Sequence, residues 1–158
     1  MTILIIGIGN EYRKDDGVGR VIAQELTRST LPSGTSIVEV NGEGAALMET
    51  WEGADAVILI DAVSSGAAPG TVHRLNAHRQ PIPSQFLNCS THAFGVAEAI
   101  EMARVLNRLP PRVVLYGIEA ETFEPGAGLS ASVRKAIPEV LKSVTREAQA
   151  LANGVYES

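Results

Sequence analysis

Runs of consecutive apolar residues constrain the fold of this chain more than any other feature. The clearest are residues 3–6 and 56–60, which contain only aliphatic residues, and the run at 113–118 is almost as apolar. A strand of this kind is buried on both faces, as in parallel sheets covered by helices. Apolar residues at helical spacing, such as Val18, Ile22 and Leu26, lie between the runs. The alternation predicts an α/β fold, a three-layer α/β/α sandwich around a twisted, mostly parallel sheet.

Turn and capping residues define the remaining elements. Two further strands are predicted at 36–40 and 71–75, and the polar residues of the second favour an edge position, which we expect to be antiparallel. The predicted helices cover residues 16–30, 45–51, 92–107 and 131–152. Ser130 is predicted to cap the last helix, and Pro138 to interrupt it early.

Composition and charge exclude several classes of protein. The 158 residues fit a single domain over 1–158, and the net charge of −5 argues against a nucleic-acid partner, because phosphate binding needs clustered Lys and Arg. The single cysteine, Cys89, excludes an intrachain disulfide and a zinc site built on cysteine pairs. The first residues lack the basic region of a signal peptide, and no apolar run approaches the roughly 20 residues that cross a bilayer. We therefore expect a cytoplasmic protein without a membrane partner.

The loop after the first strand, residues 7–19, carries two adjacent carboxylates. It begins like a dinucleotide-binding fingerprint, but Tyr12 holds the place of the third glycine. Asp15 and Asp16 stand where a helix would bind a pyrophosphate, and their charges would repel it, so a nucleotide-binding protein is a disfavoured alternative. One aspartate suffices to cap the helix. We assign Asp15 mainly to capping and expect Asp16 to face the crevice at the carboxyl ends of the strands.

Asp61 and His92 are the other candidates for this crevice. Asp61 is predicted at the end of its strand, where a charge is costly unless it is paired, capped or used. Its alternative role is to bind the backbone of residues 62–65. His92 stands in the first turn of a predicted helix, where the dipole favours the neutral imidazole that binds metals. With Asp16 they predict a site for a divalent metal such as nickel or zinc.

The other reactive side chains are assigned lesser roles. His73 and His78 are predicted to be surface residues on the edge strand and the loop after it. Cys89 lies three residues before His92 near a helix start, which lowers a thiol pKa, but a lone cysteine is more often a small buried apolar residue. We therefore do not assign it as a nucleophile.

Four segments of the chain resemble the hydrogenase maturation endopeptidases. They are the loop 7–19 with its Asp-Asp-Gly, Asp61 after an apolar strand, the Ser-Thr-His at 90–92, and residues 117–130. The likeness extends from residue 3 to about residue 145 in the same order and spacing. It implies a sheet of about five strands and an aspartic-type protease that removes a C-terminal extension from the large-subunit precursor of a nickel–iron hydrogenase after nickel insertion.

The resemblance also implies how the site is used. The family residues that match Asp16, Asp61 and His92 contact nickel, and no tightly bound cofactor is expected, because the enzyme recognises the nickel of its substrate. How the peptide bond is hydrolysed does not follow from the sequence, and our hypothesis is that Asp16 or Asp61 is the catalytic carboxylate that activates water while nickel or a backbone N–H group polarises the carbonyl. We expect a monomer. The alternative is a non-catalytic chaperone that checks the large subunit for nickel without cutting it.

Overall fold

Five strands form one sheet in the computed structural model, which describes residues 1–86 and 95–155. The strands are β1 (Ile3–Ile8), β2 (Thr35–Val40), β3 (Ala56–Val63), β4 (Val72–Asn76) and β5 (Arg112–Glu119). Their order across the sheet is β2-β1-β3-β5-β4. All neighbouring pairs are parallel except β4 with β5, which is antiparallel at the edge. This confirms the predicted mostly parallel sheet with one antiparallel edge strand.

Helices cover both faces of the sheet. Within the described residues they are α1 (Val18–Leu26), α2 (Gly44–Thr50), α3 (Val96–Val105) and α4 (Ala131–Ala152). Short 3-10 turns occur at Lys14–Gly17 and Ser84–Phe86. α1 and α4 pack on one face, and α2 and α3 pack on the other. In these two ranges no helix has both the length and the apolarity needed to cross a membrane.

The apolar runs supply both cores because successive side chains of a strand point to opposite faces. In β1, Ile3 and Ile5 pack against α1 and α4, whereas Leu4 and Ile6 pack against α2 and α3. The same alternation continues through β3 and β5. This explains why the central strands are apolar on both faces, as the sequence predicted.

The first helix is shorter than predicted at both ends. It begins at Val18 rather than Asp16, because residues 14–17 form a 3-10 turn in which Lys14 has a positive φ of 49°. It ends at Leu26 rather than near Thr30. After Leu26 the Thr27 hydroxyl donates to the Gln24 carbonyl, and the next hydrogen bonds are those of turns. The two aspartates therefore precede the helix and belong to the loop.

Two other predicted boundaries are wrong. β3 does not end at Asp61 but continues to Val63, because β5 pairs with it that far. α4 is not interrupted at Pro138, which lies inside a continuous helix. Pro138 is exposed, and the buried residues on either side of it, Ala136 and Val140, hold the helix on the sheet. The helix predicted to begin at His92 is described only from Val96 and ends at Val105, and residues 87–94 lie outside the described residues.

Candidate active site

The crevice lies at the carboxyl ends of β1 and β3. The chain leaves β1 for β2 on one side and later returns to β3 on the other, so the strand order reverses between these two strands. Ligands of open α/β sheets bind at such a reversal, because the connecting loops diverge there and leave a gap. Asp16 follows β1, and Asp61 lies near the end of β3. The sequence therefore places both carboxylates at the reversal point.

Glycines bring the start of α1 into contact with the sheet. A Cβ atom on Gly19 would lie 2.3 Å from the Ile60 carbonyl oxygen and 2.5 Å from that of Ile8. A Cβ atom on Gly7 would lie 2.4 Å from the Gly19 carbonyl oxygen. Gly7, the first glycine of the fingerprint-like run, and Gly19 thus serve backbone packing, and this packing lets the turn that carries Asp16 approach β3.

Asp16 and Asp61 form a pair of like charges. The backbone N–H of Asn10 donates to Asp16 Oδ2 at 3.0 Å, and that of Ala62 donates to Asp61 Oδ1 at 2.9 Å. Burial and the neighbouring negative charge of Asp16 together raise the pKa of Asp61 well above its ordinary value. Asp61 therefore favours a bound proton or a nearby cation.

The predicted third ligand, His92, lies outside the described residues, as does Cys89. Phe86 and Val96, described residues on either side of the segment 87–94, both line a small pocket with Asp61. In the ranges 1–86 and 95–155 no three His, Cys, Asp or Glu side chains are arranged to hold a metal ion. Asp16 and Asp61 thus supply two ligands at most, and the role of His92 stays a prediction.

Asp15 does not cap α1, contrary to the prediction. Its side chain is fully buried, and it accepts hydrogen bonds from the N–H groups of Glu121, Thr122 and Ser130 at 2.8, 3.2 and 2.7 Å. The Ser130 hydroxyl also donates to it at 2.8 Å, so Ser130 begins α4 without a side-chain cap of its own. Burial alone would raise the pKa of Asp15, but the hydrogen bonds from Ser130 and the two other residues outweigh it and lower the pKa.

These bonds join the first loop to the loop 120–130. The backbone adds three more between them. Lys14 N–H donates to the Gly126 carbonyl at 3.0 Å, Asp15 N–H to the Thr122 carbonyl at 3.3 Å, and Gly126 N–H to the Tyr12 carbonyl at 2.8 Å. Arg13 Nε also donates to the Phe123 carbonyl at 3.2 Å. The two loops therefore form one rigid unit, which we call the loop junction, and Asp16 leaves it toward the crevice.

A second buried carboxylate, Glu119, was not identified from the sequence. It is 2% exposed and accepts hydrogen bonds from the N–H and the hydroxyl of Ser65, and its Oε1 lies 3.1 Å from His73 Nε2. These contacts hold the loop that follows β3 and Asp61. The signal for it was the one used for Asp61, a carboxylate that directly follows an apolar run.

Both described histidines differ from their prediction as surface residues. His73 is half-buried against the ring of Phe86, with centroids 5.0 Å apart, and pairs with Glu119. His78 is half-buried as well, and its Nδ1 accepts from the Val113 N–H at 2.9 Å. Both therefore stabilise the sheet and its loops.

Known proteins agree with this fold. A sequence model of the family described as hydrogenase maturation protease matches residues 21–147. The chain is 32% identical to the hydrogenase 2 maturation protease of Escherichia coli, over 91% of this chain and 88% of the relative. It is 31% identical to the hydrogenase expression/formation protein HupD of Bradyrhizobium diazoefficiens, over 85% of this chain and 71% of the relative.

Solved structures of hydrogenase maturation proteases share this fold. The hydrogenase maturating endopeptidase HybD from Escherichia coli superposes with a TM-score of 0.82 at 30% identity, covering 94% of this chain and 93% of that one. The nickel–iron hydrogenase maturation protease HybD from Thermococcus kodakarensis superposes with a TM-score of 0.71 at 25% identity, over 94% and 99% of the two chains. The resemblance inferred from four segments is confirmed, and this chain belongs to the hydrogenase maturation proteases, a family of endopeptidases.

Proposed function

We propose that this protein removes a C-terminal extension from the large-subunit precursor of a nickel–iron hydrogenase after nickel insertion. The observation that carries the proposal is the pair formed by Asp16 and Asp61 at the strand-order reversal. Both carboxylates are half-buried and their negative charges repel each other, so a positive ion that binds at both is favoured. A nickel ion bound in the substrate supplies that charge, so cleavage depends on nickel loading.

The nickel is part of the substrate in this proposal, and the protein needs no tightly held metal of its own. Asp16, Asp61 and His92 would approach the ion from one side, since carboxylate and imidazole ligands suit nickel. Residues of the substrate would keep the other positions. We place the protein in the cytoplasm as a monomer.

Hydrolysis then needs a base and a polarised carbonyl. Asp16 or Asp61 takes a proton from a water molecule whose oxygen attacks the carbonyl carbon of the scissile peptide bond. The carbon–nitrogen bond breaks, and the proton passes to the leaving nitrogen, which gives a new carboxyl terminus and a free amine. Nickel or a backbone N–H stabilises the charge on the carbonyl oxygen.

The test is incubation of the nickel-loaded and the nickel-free precursor from the same cell, with intact mass as the readout. We expect the nickel-loaded precursor alone to lose its C-terminal extension. Asp16→Ala and Asp61→Ala should abolish cleavage, whereas Asp55→Asn, an exposed aspartate remote from the crevice, should not. Full activity in both crevice variants would refute the catalytic assignment. Binding of the precursor without any loss of mass would favour the nickel-checking chaperone instead.

A further inference from the structure

A pocket of about 280 Å³ opens beside Asp16 and is not used by the chemistry described above. It lies between the first loop, the first turns of α1 and the loop 120–130. The side chains that line it are those of Glu11, Tyr12, Lys14, Val21, Ala127 and Leu129. Gly17, the residue after Asp16, forms part of its floor. The pocket therefore adjoins the turn that carries Asp16.

The walls of this pocket are fixed before any partner arrives. They belong to the loop junction, in which Asp15 and the backbone bonds of Gly126 join the two loops. Gly17 is confined as well, because a Cβ atom there would lie 2.9 Å from Glu11 Cα. A pocket built in this way loses little conformational entropy when it binds a ligand.

The lining suits a peptide side chain. Tyr12 is 71% exposed at the pocket, and among the described residues it is the one aromatic side chain with such exposure. Val21, Ala127 and Leu129 add aliphatic surface. Glu11 and Lys14 carry charges of opposite sign. Without net positive charge the pocket does not favour a phosphate. Its volume is also at the lower limit of about 300 Å³ for sites that enclose a drug-sized ligand.

We propose that this pocket binds an apolar side chain of the precursor, close in sequence to the scissile bond. The proposal rests on the proposed function, because the peptide bond must lie at Asp16 and Asp61 to be cut. A segment that crosses the crevice would then place a neighbouring residue against the ring of Tyr12. The pocket would thereby fix the position of the cut as well as strengthen binding.

The test compares variants in the steady-state cleavage of the nickel-loaded large-subunit precursor encoded in the same genome. Ala127→Trp fills the pocket from an exposed position, and Tyr12→Ala removes its aromatic wall. Each should raise KM about tenfold or more with little change in kcat, because the lost contact is made equally in the bound and the reacting substrate. Ala152→Trp and Val105→Ala, exposed positions outside the pocket, are the matched controls and should behave as wild type.

Cross-linking separates this proposal from the proposed function. A photoreactive phenylalanine analogue at Tyr12 should attach to the precursor within a few residues of the cleavage point, and one at Val105 should not. If the wild type cleaves and both pocket variants keep its kcat/KM, the pocket proposal is overturned. If the wild type does not cleave but Tyr12 still cross-links near the C-terminus of the precursor, the proposed function fails and the pocket assignment stands. Absence of a cross-link at Tyr12 also overturns the pocket assignment.

Discussion

Asp15 and Asp61 both lie at the same edge of the sheet, the first fully buried and the second half-buried, yet their surroundings are opposite. Asp15 accepts four hydrogen bonds within the loop junction, and these lower its pKa despite burial. Asp61 faces the carboxylate of Asp16, and burial together with that charge raises its pKa. A buried charge that the protein itself satisfies stabilises the fold, whereas one left short of partners is available for chemistry.

Asp61→Asn should have the largest effect on activity. We expect it to reduce kcat/KM for the nickel-loaded precursor by at least about 1000-fold, which corresponds to about 4 kcal/mol of transition-state stabilisation. The free energy of unfolding should stay the same or rise, because the substitution removes a repulsion between like charges. Cleavage kinetics and urea denaturation measure the two effects. A variant that is inactive because it is unfolded would contradict the assignment, as would one that retains a tenth of the activity.

Asp15→Asn should instead lower the stability of the fold. The amide group would present a donor to the N–H groups of Glu121, Thr122 and Ser130, which leaves buried donors unpaired. We expect the free energy of unfolding to fall by about 2–4 kcal/mol. Urea denaturation measures it, with Asp55→Asn as the exposed control. A loss below about 1 kcal/mol would mean that the four hydrogen bonds do not carry the stability assigned to them.

Gly19→Ala tests whether close packing of α1 positions the carboxylate pair. The added Cβ atom would meet two backbone carbonyl oxygens, those of Ile60 and Ile8, neither of which can rotate away. We expect a loss of about 1–3 kcal/mol in the free energy of unfolding, together with reduced cleavage. Gln24→Ala, on the exposed side of the same helix, should change stability by less than about 0.5 kcal/mol. Wild-type activity in Gly19→Ala would contradict this prediction, because it would show that the geometry of the crevice does not depend on the close packing of α1.

Glu101 is, like Asp15, a carboxylate whose pKa is lowered by hydrogen bonds, but its substitution should have the smallest effect on the free energy of unfolding. A hydrogen bond from Arg104 lowers its pKa below 4.5, burial opposes this, and the N–H of Ile82 adds to the lowering. Its contribution is therefore present above pH 4.5 and is lost as the pH falls through the lowered pKa. Glu101→Gln should cost less than about 1 kcal/mol at neutral pH and nothing in acid. Urea denaturation of both proteins as a function of pH measures the difference, and a gap that widens in acid would contradict the sign.

The sheet could be predicted from the sequence because each central strand is a run of consecutive apolar residues. The run 56–60 and the carboxylate that follows it are local features, so Asp61 could be identified without knowledge of its neighbours. The role of Asp15 could not be predicted, because its partners lie 106 to 115 positions away. Helix propensity at the start of α1 was likewise overridden by these distant bonds. His73 was assigned to the surface for the same reason, since its partner Glu119 is 46 positions away.

The long separation between Asp15 and Ser130 also has a consequence for biosynthesis. Residues that meet across more than 100 positions close a large loop, which is a slow and late event in folding. The loop junction cannot form until residue 130 has left the ribosome, although Asp16 and Asp61 emerge much earlier. A nascent chain therefore carries both candidate catalytic carboxylates, from the synthesis of Asp61 to that of Ser130, without the loop junction that positions Asp16. We therefore expect no peptide-bond cleavage before residues 120–130 have been synthesised and have packed against the first loop.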